Sequence, residues 1–274
     1  MAAKRVQLTA PDVAQTTLRA LTAGGFVWVL LRIVDDAPPA VTATVMTLPF
    51  VIGVGFAAMA AHQSDAYVVS AAGHGLAAMP AFVFYVALTA RFFTRLSLPR
   101  LMVMSLVAWA TLAWVLTGIP DIGPGLAVLL TGAALVVSVA VFPFDAALVL
   151  GHRTASHAGR RAWPVAIQAG VVVVVLSLFA GALGPRLSAL LAALPLATIF
   201  VIAGLKLSDS GNWPATLQSA RLATLSLTAY LLATIWLVRT WGALAGTLAA
   251  FVPSIAVAAA TVAIRRRLSQ RSLS

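Results

Sequence analysis

An all-α, polytopic membrane fold is what this sequence predicts, and three observations predict it. Apolar runs, each about the length needed to cross a bilayer, take up most of the 274 residues. Charged residues make up only 9% of the chain, and the mean hydropathy is +1.01. The interruptions between runs are where Pro, Gly and charge cluster, as helix ends require. No water-soluble domain of this size manages with so little polar surface.

About nine spans follow, in chain order. Residues 1–18 are polar, with Lys4, Arg5 and Asp12, and show no cleavable apolar signal, so the first run is expected to stay in the mature protein. That run, 18–34, has a short apolar core bracketed by Arg19 and Arg32. The second, 39–61, contains Leu48-Pro49; the third, 68–90, contains His74 between Gly73 and Gly75. The fourth, 97–117, opens on Leu98-Pro99. The fifth, 125–147, is uneven, because Pro143 and Asp145 lie near its end. The sixth is 163–183 and the seventh, 187–206, contains Leu194-Pro195. The eighth, 214–238, carries Arg221, and the ninth, 242–264, stops before Arg265–Arg267.

Composition excludes several function classes. With no Cys, and Asp as the only acid, there is no disulfide framework, thiolate metal site or thiol nucleophile. The formal charge of +11 sits in short loops and at the C-terminus, where it orients helices against anionic lipid, so no nucleic-acid partner is expected. With the N-terminus outside, twelve basic residues face inward and five outward, which favours N-out, C-in. A bacterial cytoplasmic (inner) membrane suits the Ala/Val/Leu/Arg-rich composition.

A weak internal repeat is visible. Superposed on Leu48-Pro49 and Leu194-Pro195, the second and seventh spans align Ala57 with Ala203 and Ser64 with Ser210. The register continues through Thr94 with Thr240 and Leu98 with Leu244. Four spans, one lone span and four more would turn the second set upside down, a 4+1+4 inverted repeat. Three regions are expected: a four-span unit (1–117), a connecting helix with a basic loop (118–162) and a second four-span unit with a basic tail (163–274).

One stretch goes beyond composition. The chain reads Pro80-Ala-Phe-Val-Phe-Tyr85, then Leu98-Pro99, Trp109 and Ala113-Trp114-Val115-Leu116, with Leu48-Pro49 and Ala61-His62-Gln63-Ser64-Asp65 upstream. Residues 20–117 thereby resemble the GlpM-like family of small bacterial inner-membrane proteins, although the Pro80-to-Pro99 distance departs from the family pattern by about one residue. The resemblance implies two fused four-span units, the second diverged, and implies no catalytic residue.

Residues able to carry chemistry are few. Arg221, inside the eighth span, costs a few kcal/mol unless it faces a cavity, finds a partner or snorkels. With Gln218 and Thr228 it forms a partly polar stripe, suited to an anion-recognising path. His74 could titrate in a proton-coupled cycle or simply pack against a carbonyl. Asp145 is a candidate coupling carboxylate or an ordinary interfacial acid. Pro49 and Pro195 remove backbone bonds at mid-span and could expose carbonyls to a substrate. Asp65 and Asp209 are loop acids that could form matching gates. The tryptophans, Trp109 and Trp114 among them, fit packing or an interfacial belt.

No His-x-x-x-His pair, nucleophile elbow or phosphate loop is present, so no enzyme, cofactor or metal site is expected. The leading expectation is a secondary transporter or flippase-like carrier for a small, anionic or lipid-phosphate substrate. Its binding residues would be Arg221, His74, Gln218, Thr228, Pro49 and Pro195. The alternative is a non-transporting subunit or scaffold of an envelope or lipid pathway. The bilayer is the expected partner, and a homodimer is a candidate assembly.

Overall fold

The computed structural model describes residues 49–120, 122–141, 162–195 and 213–271, together with residues 25, 198–199, 202–203 and 206. The described chain is all-helical: α1 (Phe50–Ala60), α2 (Asp65–Ala77), α3 (Met79–Phe92), α4 (Leu98–Gly118), α5 (Pro124–Val141), α6 (Ala162–Ala193), α7 (Trp213–Trp241), α8 (Ala243–Ala249) and α9 (Phe251–Arg271). Five segments are long and apolar enough to cross a membrane: Asp65–Phe92, Leu98–Gly118, Pro124–Val141, Ala220–Trp241 and Ala243–Ile264. By helix length and hydropathy this is an integral, multi-pass membrane protein. All but one residue of the expected first span, the start of the second (39–48), and Asp145 with the basic loop after it lie outside the described residues.

Local chemistry explains most helix ends. Ser64 caps α2 by accepting the Tyr67 N–H at 3.3 Å, and Asp65 places a negative charge on the first turn. Pro99 sits in the first turn of α4 and Pro124 opens α5, positions whose missing N–H would be unpaired anyway. Two interruptions fall inside expected spans. The third span breaks at Ala78, because Pro80 has no N–H for the Leu76 carbonyl and its ring crowds that turn. The ninth breaks at Ala250, where Pro253 does the same to Ala249. In α6, Gly184 adopts φ 75°, a left-handed conformation open to glycine, and Pro185 restarts the helix beyond it. That kink falls in the gap between the expected sixth and seventh spans.

The segments are not equally buried. Asp65–Phe92 is 78% buried and Ala220–Trp241 59%, against 28% for α4, 17% for α5 and 22% for Ala243–Ile264. The first two therefore form the centre, with α7 packed along both α2 and α3. The others turn Val103, Leu129, Val136 and Val252 outward, as lipid-facing helices do.

Contacts at the helix ends fix direction. The Asp65 carboxylate, at the start of α2, accepts the Ala243 N–H at 2.8 Å, just past the end of α7. Hence α7 ends where α2 begins, and the two central rods run antiparallel. Arg186 reaches Thr117 at the end of α4, and Tyr67 meets the Ser188 hydroxyl at 2.8 Å. These residues share what is called below the Asp65 end. At the opposite, Phe93 end, the Lys206 ammonium donates to the Phe93 carbonyl and lies 4.9 Å from its ring centroid. Tracing the chain between these anchors, α1 runs towards the Asp65 end, while the segment from Arg186 to Lys206 runs away from it. Likewise α4 runs towards that end, and α8–α9 run away from it. The exposed Arg91, Arg95 and Arg100 lie at the Phe93 end, towards which α9 carries Arg265–Arg267.

At mid-depth the centre is packed. Phe56 meets Tyr230 edge-on at 6.2 Å, and Tyr230 packs, tilted by 57°, with its ring centroid 5.0 Å from that of Phe251. Phe251 in turn lies over Gly53, where a Cβ would fall 2.1 Å from the ring. At Gly246 on α8 the neighbour is backbone: an added Cβ would stand 2.4 Å from the Val238 backbone nitrogen of α7. A side chain smaller than any other lets those two backbones touch.

Candidate functional site

Two polar centres lie inside the bundle, one towards each end. Towards the Phe93 end, Arg221 is only 2% exposed, and its Nη1 donates to the Ser138 carbonyl at 3.1 Å. Ser138 belongs to the last described turn of α5. Arg221 thus ties α5 to α7, a role distinct from snorkelling to the headgroups. Within the stripe expected around it, Leu225 is 37% exposed, and the buried Thr228 hydroxyl donates to the Thr224 carbonyl of its own helix. Gln218 lies on α7 with its side chain outside the described residues.

Towards the Asp65 end, His74 is half-buried and lies near the Thr117 main chain and the Arg186 guanidinium. Arg186 is held on three sides. Its Nε donates to Thr117 Oγ1 at 3.1 Å and its Nη2 to the Trp114 carbonyl at 2.5 Å. The cation sits 4.0 Å from the Trp114 ring centroid, a cation–π geometry. Gly118 makes room, since a Cβ there would stand 2.8 Å from Nη2. The Thr117 hydroxyl is itself oriented by donating to the Ala113 carbonyl at 2.7 Å.

His74 and Arg221 are not brought together. Gly75 faces Leu231 across the central pair, and Arg221 lies ten residues before Leu231, about 15 Å along a helix. Pro49 and Pro195 are both buried beside helix starts; Pro49 caps α1, and its carbonyl accepts the Gly53 N–H. Asp65 is engaged as the cap of α8, and Asp145 and Asp209 are outside the described residues. Arg186 is one of the five basic residues counted as outward from the sequence, with Lys4, Arg5, Arg19 and Arg239, and is given no further role there. The available signal was Gly184-Pro185, a turn that delivers the next side chain to a fixed place.

The Thr224, Thr247 and Ser254 hydroxyls and the Trp109 indole N–H are buried without hydrogen-bond partners among the described residues. No family model, curated protein or solved structure matches this chain.

Proposed function

We propose that this protein is a secondary carrier of the inner membrane, built as an inverted repeat, with its substrate path between the two halves. The observation that carries the reading is the opposed direction of corresponding segments: α1 against Arg186–Lys206, α2–α3 against α7, and α4 against α8–α9. Opposed repeats give two packings of nearly equal energy, which is what alternating access needs. The proline breaks at Ala78 and Ala250 supply bending points near mid-depth. On this reading the chain has nine spans, its N-terminus lies outside, and the Phe93 end with its arginines is cytoplasmic. The GlpM-like relationship, carried by Pro80, Leu98-Pro99, Trp109 and Ala113–Leu116, would make the halves two fused four-span units. The substrate is small and anionic, because the buried polar side chains among the described residues are cationic or neutral.

The second reading, a non-transporting subunit, draws support from the packed ring cluster of Phe56, Tyr230 and Phe251. Against it stand the buried hydroxyls of Thr224, Thr247 and Ser254. Each would cost about 1–3 kcal/mol in a bundle that never opened to water or substrate.

Single cysteines along α2 and α7 separate the two, because the natural chain has none. A membrane-impermeant thiol reagent is applied from each side in turn. A carrier labels periodically at depth, from Ser70 past His74 on α2 and from Thr224 to Thr234 on α7, with side preference changing between states. Labelling restricted to helix ends would leave the subunit reading standing and remove transport.

A further inference from the structure

We propose that Arg186 and His74 form an oxyanion site at the Asp65 end, taking a phosphate group of a lipid headgroup or of a small free phosphate. The argument starts from the guanidinium's own donors. A guanidinium has two bidentate edges, and one of them, Nε with Nη2, is spent on Thr117 Oγ1 and the Trp114 carbonyl. Those bonds, the Trp114 ring and the Gly118 clearance immobilise the group. They leave the other edge, Nη1 with the second Nη2 hydrogen, which is the fork that matches two oxygens of a phosphate.

A structural arginine would be expected to have its charge answered by a carboxylate. Among the described residues, Arg186 is instead answered by a hydroxyl, a carbonyl and a ring, all neutral. His74 stands near that charge. An imidazole there can accept from a protonated phosphate oxygen or, when protonated, donate to an ionised one. Arg186 is half-buried, which keeps the fork reachable while lowering the competition from water. Arg221 differs in exposure: it is almost wholly buried.

The site deepens the carrier reading, on which only its transport consequence rests; binding stands or falls separately. Calorimetric titration of the purified full chain tests it, with inorganic phosphate in detergent and then with short-chain phosphatidylglycerol. Saturable binding of phosphate marks a free anion as ligand; binding of the lipid alone marks a headgroup. In either case Arg186→Gln weakens binding about tenfold or more, since a charge-assisted bidentate contact is lost. Arg186→Lys keeps the charge and loses the fork, and should weaken it less. Arg239→Gln, an exposed charge at the same end, leaves binding unchanged. Gly118→Ala displaces the guanidinium and weakens binding even if Arg186→Gln fails to fold. Absence of saturable binding of both probes by the folded natural protein overturns the proposal. So does binding unchanged in Arg186→Lys and Gly118→Ala. Binding retained alongside a loops-only thiol pattern would place the site on a non-transporting subunit.

Discussion

Gly246→Leu will destabilise the protein by about 3 kcal/mol or more, the upper range for forcing extra atoms into a packed contact. The obstacle is backbone, not a mobile side chain: the new Cβ would stand 2.4 Å from the Val238 nitrogen and 2.6 Å from the Leu237 carbonyl carbon. Neither atom can step aside without moving α7, and α7 is half of the central pair. Gly53 is also crowded, but its neighbour is the Phe251 ring, which can slide. The effect there should be smaller. Gly132 provides the control, because it lies in a helix with nothing within 4 Å of an added Cβ. Gly132→Ala should be neutral or stabilising by about 0.4–1 kcal/mol, through the lower entropy of the unfolded chain. Thermal melting of the three purified variants in one detergent reads the difference. A Gly246→Leu protein that melts with the natural one would mean that α7 and α8 do not pack as described.

Arg221→Glu should be the most damaging single change to a side chain. It replaces a donor by an acceptor in a site only 2% exposed and points a negative charge at the Ser138 carbonyl. An uncompensated buried charge of this kind costs about 3–5 kcal/mol. Arg221→Leu is a different case. It removes a bond from a charged donor, about 1.5–3 kcal/mol, and leaves the Ser138 carbonyl short of that donor. It also removes a charge whose insertion costs about 2.5–3.5 kcal/mol. The two nearly offset, so Arg221→Leu should express and fold where Arg221→Glu does not. Size-exclusion profiles of the fluorescently tagged variants give the comparison. If Arg221→Glu folds as well as Arg221→Leu, the guanidinium is not the tie between α5 and α7 that its geometry describes.

What could be read from the sequence follows from what is local. Hydropathy and the Pro–Gly breaks located the ends of α4 and α7 to within a few residues, because a bilayer's thickness and a proline's missing N–H act on adjacent residues. The breaks at Ala78 and Ala250 were equally local, since Pro80 and Pro253 are in plain view. Yet the apolar runs continue through both, so length alone read single rods. The cost of Arg221 was legible and its partner was not. A backbone carbonyl such as that of Ser138 has no identity in a sequence, and it lies 83 positions away. Arg186 was hidden for a similar reason. Its seat is assembled from Thr117 and Trp114, 69 and 72 positions upstream. A loop arginine and a seated arginine look alike until the fold brings such residues together.

The central claim is that two sets of helices meet head to tail, with Asp65, Gly118, Arg186 and Gly242 at one end of the bundle. Sided labelling tests it most directly. Single cysteines at His62, Gly123, Leu187 and Gly242, and at Thr94 and Arg271, are introduced into the cysteine-free chain. Each is then offered an impermeant thiol reagent in intact cells and in inverted vesicles. The account predicts that the first four react from one side, the outer, and that Thr94 and Arg271 react only from the other. Any of the four labelling from the side of Thr94 would break the antiparallel pairing of α2–α3 with α7, and with it the opposed halves on which the carrier reading depends.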